Sequence, residues 1–142
     1  MPEGHTLHRL AKDQTADLVG RPVETASSQE RFTSSAARLD AQVVDRVDAW
    51  GKHLFHTFAS GDVLHVHLGL IGKWFRREGP ERPEPTPTTR LRLAADEVAW
   101  DLIGPMVCRV VGPDEQAEVV AKLGPDPLRR RADPERMWTR LQ

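Results

Sequence analysis

The chain opens Met1-Pro2-Glu3-Gly4-His5-Thr6. Once Met1 is removed, Pro2 is a free secondary amine with the Glu3 carboxylate beside it. A secondary amine that attacks a carbonyl-level carbon gives a cationic iminium, because it has no second proton to lose. Amine nucleophiles of this kind form covalent Schiff-base intermediates. Glu3 could then move protons. An α-amine titrates near pH ~8, so a neighbouring carboxylate that takes its proton is useful. With Met1 attached, the Pro2 nitrogen is a tertiary amide and has no such reactivity. The same residues also suit a plain helix start, where proline is tolerated because its N–H would go unbonded.

Further along stand Trp50-Gly51-Lys52-His53, His67-Leu68-Gly69-Leu70-Ile71-Gly72 and Leu123-Gly124-Pro125-Asp126-Pro127-Leu128. On their own, Lys52 reads as an exposed turn lysine and Leu70 as a core leucine beside a turn. His65 and His67 share a strand face and could chelate a metal, but two ligands on a strand are a weak signal, and no metal site is expected.

Elements must hold these residues in place. The first is a helix over 3–19, with Leu7, Leu10, Ala11 and Leu18 near helical spacing and Gly20 and Pro22 as its stop. Strands are expected at 43–50 and 52–59, with Gly51 between them. In the second, Leu54 and Phe58 share one face and Phe55 takes the other. Ser60-Gly61-Asp62 reads as a turn. In 63–68, Leu64, Val66 and Leu68 point one way and Val63, His65 and His67 the other. Further strands fall at about 73–77, 90–94, 97–102 and 106–111. Short strands separated by turns indicate an antiparallel sandwich or barrel. Pro80, Pro83, Pro85 and Pro87 exclude a central strand between Glu78 and Thr89 and point to a loop. Helix returns over Pro113–Leu123, with Ala117, Val120 and Ala121 as its apolar stripe. A last helix starts at Asp133-Pro134-Glu135 with an N-cap and an N1 proline. Its stripe of Met137, Trp138 and Leu141 needs a partner, so the chain reads as part of a longer protein.

Composition bounds the class. The 142 residues suit one main domain with a real core. No apolar run reaches membrane-spanning length, and no signal peptide is visible. Cys108 is the only cysteine, which excludes a disulfide or cysteine-rich zinc site within the chain. A soluble cytoplasmic protein is expected. The net charge of −1 does not announce a nucleic-acid binder. From Lys122 to Gln142, however, six basic residues stand against three acidic ones, and such a local excess can bind phosphate.

The four motifs, in this order, resemble the formamidopyrimidine-DNA glycosylase / endonuclease VIII family of bifunctional DNA repair enzymes. The resemblance spans nearly the whole chain. It implies an α+β, mainly β fold: an N-terminal helix packed on a two-sheet antiparallel β-sandwich over 1–124, then the start of a helix–two-turn–helix domain over 125–142. It implies that the Pro2 nitrogen attacks the sugar C1′ of a damaged nucleotide that has left the stack, with Glu3 as general acid/base. Lys52 would contact phosphate and donate a proton during β-elimination. Leu70, flanked by Gly69 and Gly72, would enter the gap left by the flipped nucleotide, with Ile71 as secondary filler and His67 hydrogen-bonding near the DNA channel. Lys122 and Arg129 would meet the DNA backbone. The implied partner is single- or double-stranded DNA with oxidised bases or abasic sites, bound by a monomer that joins the nucleoid on binding DNA.

The chain also departs from the family. Purine-directed members carry an arginine–phenylalanine pair where this chain has Asp101-Leu102-Ile103-Gly104-Pro105-Met106. Its absence, with the Pro2-Glu3-Gly4 start, favours the endonuclease VIII side and oxidised pyrimidines. Gly69 stands where that side has glutamine. His5-Thr6 resembles an actinobacterial-type branch. The phosphate-binding asparagine and the zinc finger of the family do not fall within these residues. No cofactor is therefore expected in this chain, zinc is expected in the C-terminal finger of the full protein, and weak DNA binding is expected of this part alone. Two other readings compete: a damaged-DNA-binding module without activity, and a tautomerase-like enzyme using proline as a base, which leaves Lys52 and the Gly-Leu loop unexplained.

Overall fold

The computed structural model describes residues 4–79 and 84–123. Helix α1, Gly4–Leu18, is followed by the short strand β1, Glu24–Ala26. A 3-10 turn over Glu30–Phe32 leads into α2, Thr33–Leu39. Then come β2, Val44–Trp50; β3, His53–Phe58; β4, Val63–His67; and β5, Lys73–Glu78. Strands β6, Thr89–Ala95, β7, Val98–Ile103, and β8, Val107–Val111, precede the helix α3, Pro113–Leu123.

Two antiparallel four-stranded sheets result, in the orders β1-β6-β7-β5 and β2-β3-β4-β8. The expected α+β, mainly β sandwich with its N-terminal helix is what forms. Period-2 alternation puts Leu54, Phe58, Leu64 and Val66 into the main core, where they meet Leu91, Leu93, Trp100 and Leu102 of the other sheet. Leu7, Ala11 and Leu18 of α1 join the same core. The other faces of β3, β4 and β8 are not left to solvent. Phe55, Val63 and Val111 pack under Val120 of α3, so β3 is buried on both sides.

Strand β1 and helix α2 were not read from the sequence. Both are short, and β1 exists only through its pairing with β6, about seventy residues away in the chain. In α3 the buried stripe is Gln116 and Val120, with Ala117 and Val119 half-buried. Ala121, expected in that stripe, faces solvent. The helix lies on the sheet with a narrower contact than the spacing suggested. Of the proline-rich connection, residues 84–88 form no strand, and Pro80 and Pro83 lie outside the described residues. So does the helix expected from Asp133.

Two contacts set the direction of α1, which lies along β2. At its C-terminal end Val19 bridges Val44, the first residue of β2. Five residues back, the Gln14 side-chain oxygen accepts a hydrogen bond from Nε2 of His56, which pairs with Val47. Going backwards along the helix therefore means going forwards along β2. From Gln14 to Gly4 the helix extends about 15 Å further, toward the Trp50 end of the strand. The helix is tied to the opposite sheet through Asp17. Its carboxylate accepts from Arg76 Nε at 2.8 Å and from Trp100 Nε1 at 2.8 Å. The Arg76 guanidinium, in the first place, holds the Asp17 carboxyl below the usual range.

Asp17→Ala removes the acceptor of a largely buried indole N–H. We expect a loss of about 1–3 kcal/mol of stability, read as a lowered midpoint in urea with an unchanged slope. An unchanged midpoint would mean that the helix does not depend on this tie.

Candidate nucleic-acid interface

The β2–β3 hairpin closes with Trp50 paired to His53, leaving Gly51-Lys52 as a two-residue loop. Gly51 has φ +59, and Lys52 is not among the described residues with positive φ. That is the pattern of a type II′ turn, whose first loop position favours glycine. The turn holds the Lys52 side chain out in solvent.

The β3–β4 register pairs His53 with His67 and Phe55 with His65. One outer face of the sheet thus carries a ladder of rings. His53 stacks on His67 at 4.4 Å between centroids and on His65 at 5.0 Å, and His65 stacks on Phe55 at 4.8 Å. His53 Nδ1 and His65 Nε2 share a hydrogen bond of 2.7 Å, so one imidazole donates and the other accepts. Burial pushes both histidines down to about 4, with the neighbouring His67 adding to the shift at His53 and the charges of His53 and Arg109 adding at His65. His67 is lowered by burial and then by the Lys52 ammonium. Near neutral pH the rings next to the turn lysine are therefore uncharged.

The same sheet end carries the segment after β4. Leu68 is buried, and its carbonyl accepts from Gly72 N at 3.0 Å, closing a tight turn. A Cβ on Gly72 would lie 2.4 Å from that oxygen, so only glycine closes the turn this way. Gly69 has φ +70, in the left-handed region. Leu70 and Ile71 project outward, 73% and 78% exposed. These values replace the core reading of Leu70: the side chain is presented, not packed.

Lys52, His67, Gly69, Leu70 and Ile71 therefore come together at one end of the β2-β3-β4-β8 sheet, the end toward which α1 begins. Lys122 is exposed in the last turn of α3, on the sheet's outer face. Pro2, Glu3 and Arg129 lie outside the described residues. His65 and His67 do share a face, as the alternation indicated. The third ring, His53, was missed, because only the register reveals it. Among the described residues no group of three or more His, Cys, Asp or Glu is arranged to hold a metal ion. Cys108 is half-buried, with its thiol pushed up to about 12 by burial, so it is a poor nucleophile.

Comparison with known proteins decides the family. The family model "Formamidopyrimidine-DNA glycosylase N-terminal domain" matches residues 1–104. This chain belongs to that family. Its residues are 49% identical, over 99% of the chain and 54% of the relative, to Endonuclease 8 1 of Mycobacterium tuberculosis (strain ATCC 25618 / H37Rv). They are 32% identical, over 99% of the chain and 55% of the relative, to Endonuclease 8 2 of Mycobacterium bovis. The chain spans about half the length of these curated relatives. Its fold is similar to that of a solved Lactococcus lactis formamidopyrimidine-DNA glycosylase bound to DNA with an abasic site. The TM-score is 0.71 at 13% identity, over 85% of this chain and 48% of that one. A complex of the LlFpg protein with THF-DNA and an inhibitor gives a TM-score of 0.72 at 14% identity, over 85% and 48%.

The buried imidazoles make this family member acid-sensitive. A histidine whose folded pKa lies below its ordinary value of ~6.5 binds more protons when unfolded, so its contribution is complete above that value and fades as the pH falls. For His53 and His65 the loss runs from pH ~6.5 down to about 4, and for the fully buried His56, pushed to about 3 by burial, further still. We expect the urea midpoint to fall between pH 7.5 and 4.5, with His56→Leu removing a share of that slope worth about 2 kcal/mol. A midpoint that does not change over this range would contradict the neutral, buried state of these rings.

Proposed function

We propose that this chain is the N-terminal catalytic part, 1–124 with the start of a second domain at 125–142, of a DNA glycosylase with abasic-site lyase activity. It acts in base-excision repair on oxidised bases, pyrimidines ahead of purines. The observation that carries the reading is the convergence at one sheet end of the α1 start, the exposed Lys52 turn and the exposed Leu70 loop, in a chain of this family. The endonuclease 8 relatives and the absence of an arginine–phenylalanine pair at 101–106 support the pyrimidine preference.

In this reading Leu70 enters the stack as the damaged nucleotide leaves it. The unprotonated Pro2 nitrogen forms a bond to C1′ while the bond from C1′ to the base breaks, the base leaving with the electron pair. The attached nitrogen gives up its N–H proton to the Glu3 carboxylate, and Glu3 passes a proton to the ring oxygen as the sugar opens, leaving the iminium. The iminium acidifies the adjacent C2′–H. Loss of that proton expels the 3′ phosphate, and a second elimination releases the 5′ side. Lys52 serves as phosphate contact and proton donor, and the uncharged His67 and His53 keep a second cation from repelling it. His67, Gly69 and Ile71 line the DNA path, and Lys122 and Arg129 hold backbone phosphates. The protein works as a cytoplasmic monomer that joins the nucleoid with its DNA. Any zinc belongs to a C-terminal finger outside these residues, and no step above uses it.

Borohydride reduction of full-length protein on DNA with an abasic site tests this. We expect a covalent adduct that disappears in Pro2→Gly, slows in Glu3→Gln, and forms normally in Lys52→Ala while strand elimination by that variant drops about 10²-fold or more. Intact mass first verifies that Met1 has been removed. No adduct from protein with a free Pro2 would instead favour a binding module that keeps the fold without the chemistry.

A further inference from the structure

The ring ladder leaves one nitrogen without a task. His53 Nδ1 is engaged with His65 Nε2 at 2.7 Å. The two ring planes lie 23° apart, close enough to coplanar for an in-plane N–H···N bond. One face of His53 meets His67, with centroids 4.4 Å apart. The two nitrogens of an imidazole point to different edges of the ring, so a bond at Nδ1 leaves Nε2 on the other side. Among the described residues His53 Nε2 has no partner, yet unlike His65 Nδ1 it is not sealed from solvent. Which nitrogen of His53 carries the proton follows from the far end of the pair. Both rings are uncharged near neutral pH, so each holds one N–H and one bare nitrogen. If His53 donated, His65 would keep its proton on Nδ1, which is buried and unbonded. Buried N–H groups without an acceptor are rare. If His65 donates from Nε2, its buried Nδ1 is bare, and the proton of His53 sits on Nε2.

His53 therefore presents a neutral N–H at the sheet end that carries Lys52. The Lys52 ammonium acts on His67, the ring stacked on His53. The His67 backbone is itself held from the β7–β8 connection, where Met106 N donates to its carbonyl at 2.9 Å. With one face covered by His67 and one edge bonded to His65, what His53 offers is the edge that carries Nε2, a place for an acceptor oxygen. Backbone phosphates are the acceptors of most protein–DNA hydrogen bonds, and uncharged donors share in those contacts with Arg and Lys. Resting on the reading proposed above, we infer that His53 is a further DNA-binding residue, whose Nε2–H donates to a backbone phosphate oxygen near Lys52, with His65 as the residue that positions its proton. The contact adds a directed hydrogen bond without adding a charge. It neither repels the Lys52 ammonium nor displaces a counterion, so it tightens binding without steepening the dependence on salt.

The experiment measures the affinity of full-length protein for duplex DNA with a stable tetrahydrofuran abasic analogue, near neutral pH and over a range of salt. His53→Phe keeps an aromatic ring and removes the donor. We expect it to lose about tenfold in affinity at every salt concentration, with the wild-type salt slope. Lys52→Ala, which removes a cation, should lower that slope by about 1. His65→Phe breaks the same histidine pair but spares His53 Nε2, and should lose no more than about threefold. In the wild-type protein itself, the nitrogen-15 resonances of the histidines should show His53 protonated on Nε2 and bare on Nδ1. A proton on Nδ1 of His53, an unchanged affinity or a lowered salt slope in His53→Phe, or an equal loss in His65→Phe would each overturn the inference. A wild-type protein that binds the analogue but forms no borohydride adduct on abasic DNA would overturn the glycosylase reading and leave the affinity comparison to decide His53.

Discussion

The register between β3 and β4 is the constraint on which the site depends. Pairing His53 with His67 aligns the β2–β3 turn with the end of β4, so Lys52 and the Leu68–Gly72 segment emerge side by side. Because side chains alternate with a period of two, a one-residue slip would exchange the faces of the whole strand. Leu54, Phe58, Leu64 and Val66 would leave the main core, and the histidines would enter it. The register is therefore protected by burial on both faces, by the main core on one side and by the Phe55–Val63–Val111–Val120 cluster on the other. Site geometry and core packing are the same fact seen from two ends of the sheet.

The crossovers extend this logic to the second sheet. A sandwich must pass its chain between layers at the ends of strands, and here two passages run together at one end. Close approach of two backbones requires small residues at the contact. Gly69 and Gly104 supply it, and Gly72 permits the tight closure onto the Leu68 carbonyl. The two loops thus interlock, with the Met106 side chain over Gly69 and the Ile71 side chain beside Gly104, while Leu70, Ile71 and Met106 stay exposed. Helix α1 is aimed at the same place by contacts far from it, Val19 with Val44 and Gln14 with His56, while Asp17 locks it to Arg76 and Trp100.

Much of this is legible in the chain because alternation and helical spacing are local signals. The helix α1, the strands β2 through β8, the Gly51-Lys52 turn and α3 all follow from patterns spanning a few residues. The motif order Pro2-Glu3, Lys52, Leu70 and Leu123–Leu128 identifies the family for the same reason. What is not legible is whatever depends on distant partners. Strand β1 has three residues and gains its form from β6. Helix α2, Thr33-Ser34-Ser35-Ala36-Ala37-Arg38-Leu39, has no capping side chain and two serines, and it is held by burying Ala36 and Leu39. His53 looks like a turn neighbour until the register stacks it between two other histidines. Met106 looks like part of a missing motif until the crossover lays it over Gly69.

The histidine ladder shows how one arrangement serves stability and electrostatics with opposite demands. Stacked imidazoles on a buried sheet face are tolerable only if neutral, since charging one would place a cation in a poorly solvated site beside Arg109 and Lys52. The protein accepts acid sensitivity as a result. In exchange, the surface under Lys52 has rings in place of charged or flexible groups. A lysine is a compact charge on a long flexible stem, and its position is usually poorly defined. Anchoring its backbone in a two-residue turn fixes where its stem starts, next to the uncharged His67 ring. Neutral rings also add no positive charge to compete for the same phosphate. Burial, which lowers the imidazole pKa values, thus also defines the setting in which the turn lysine works.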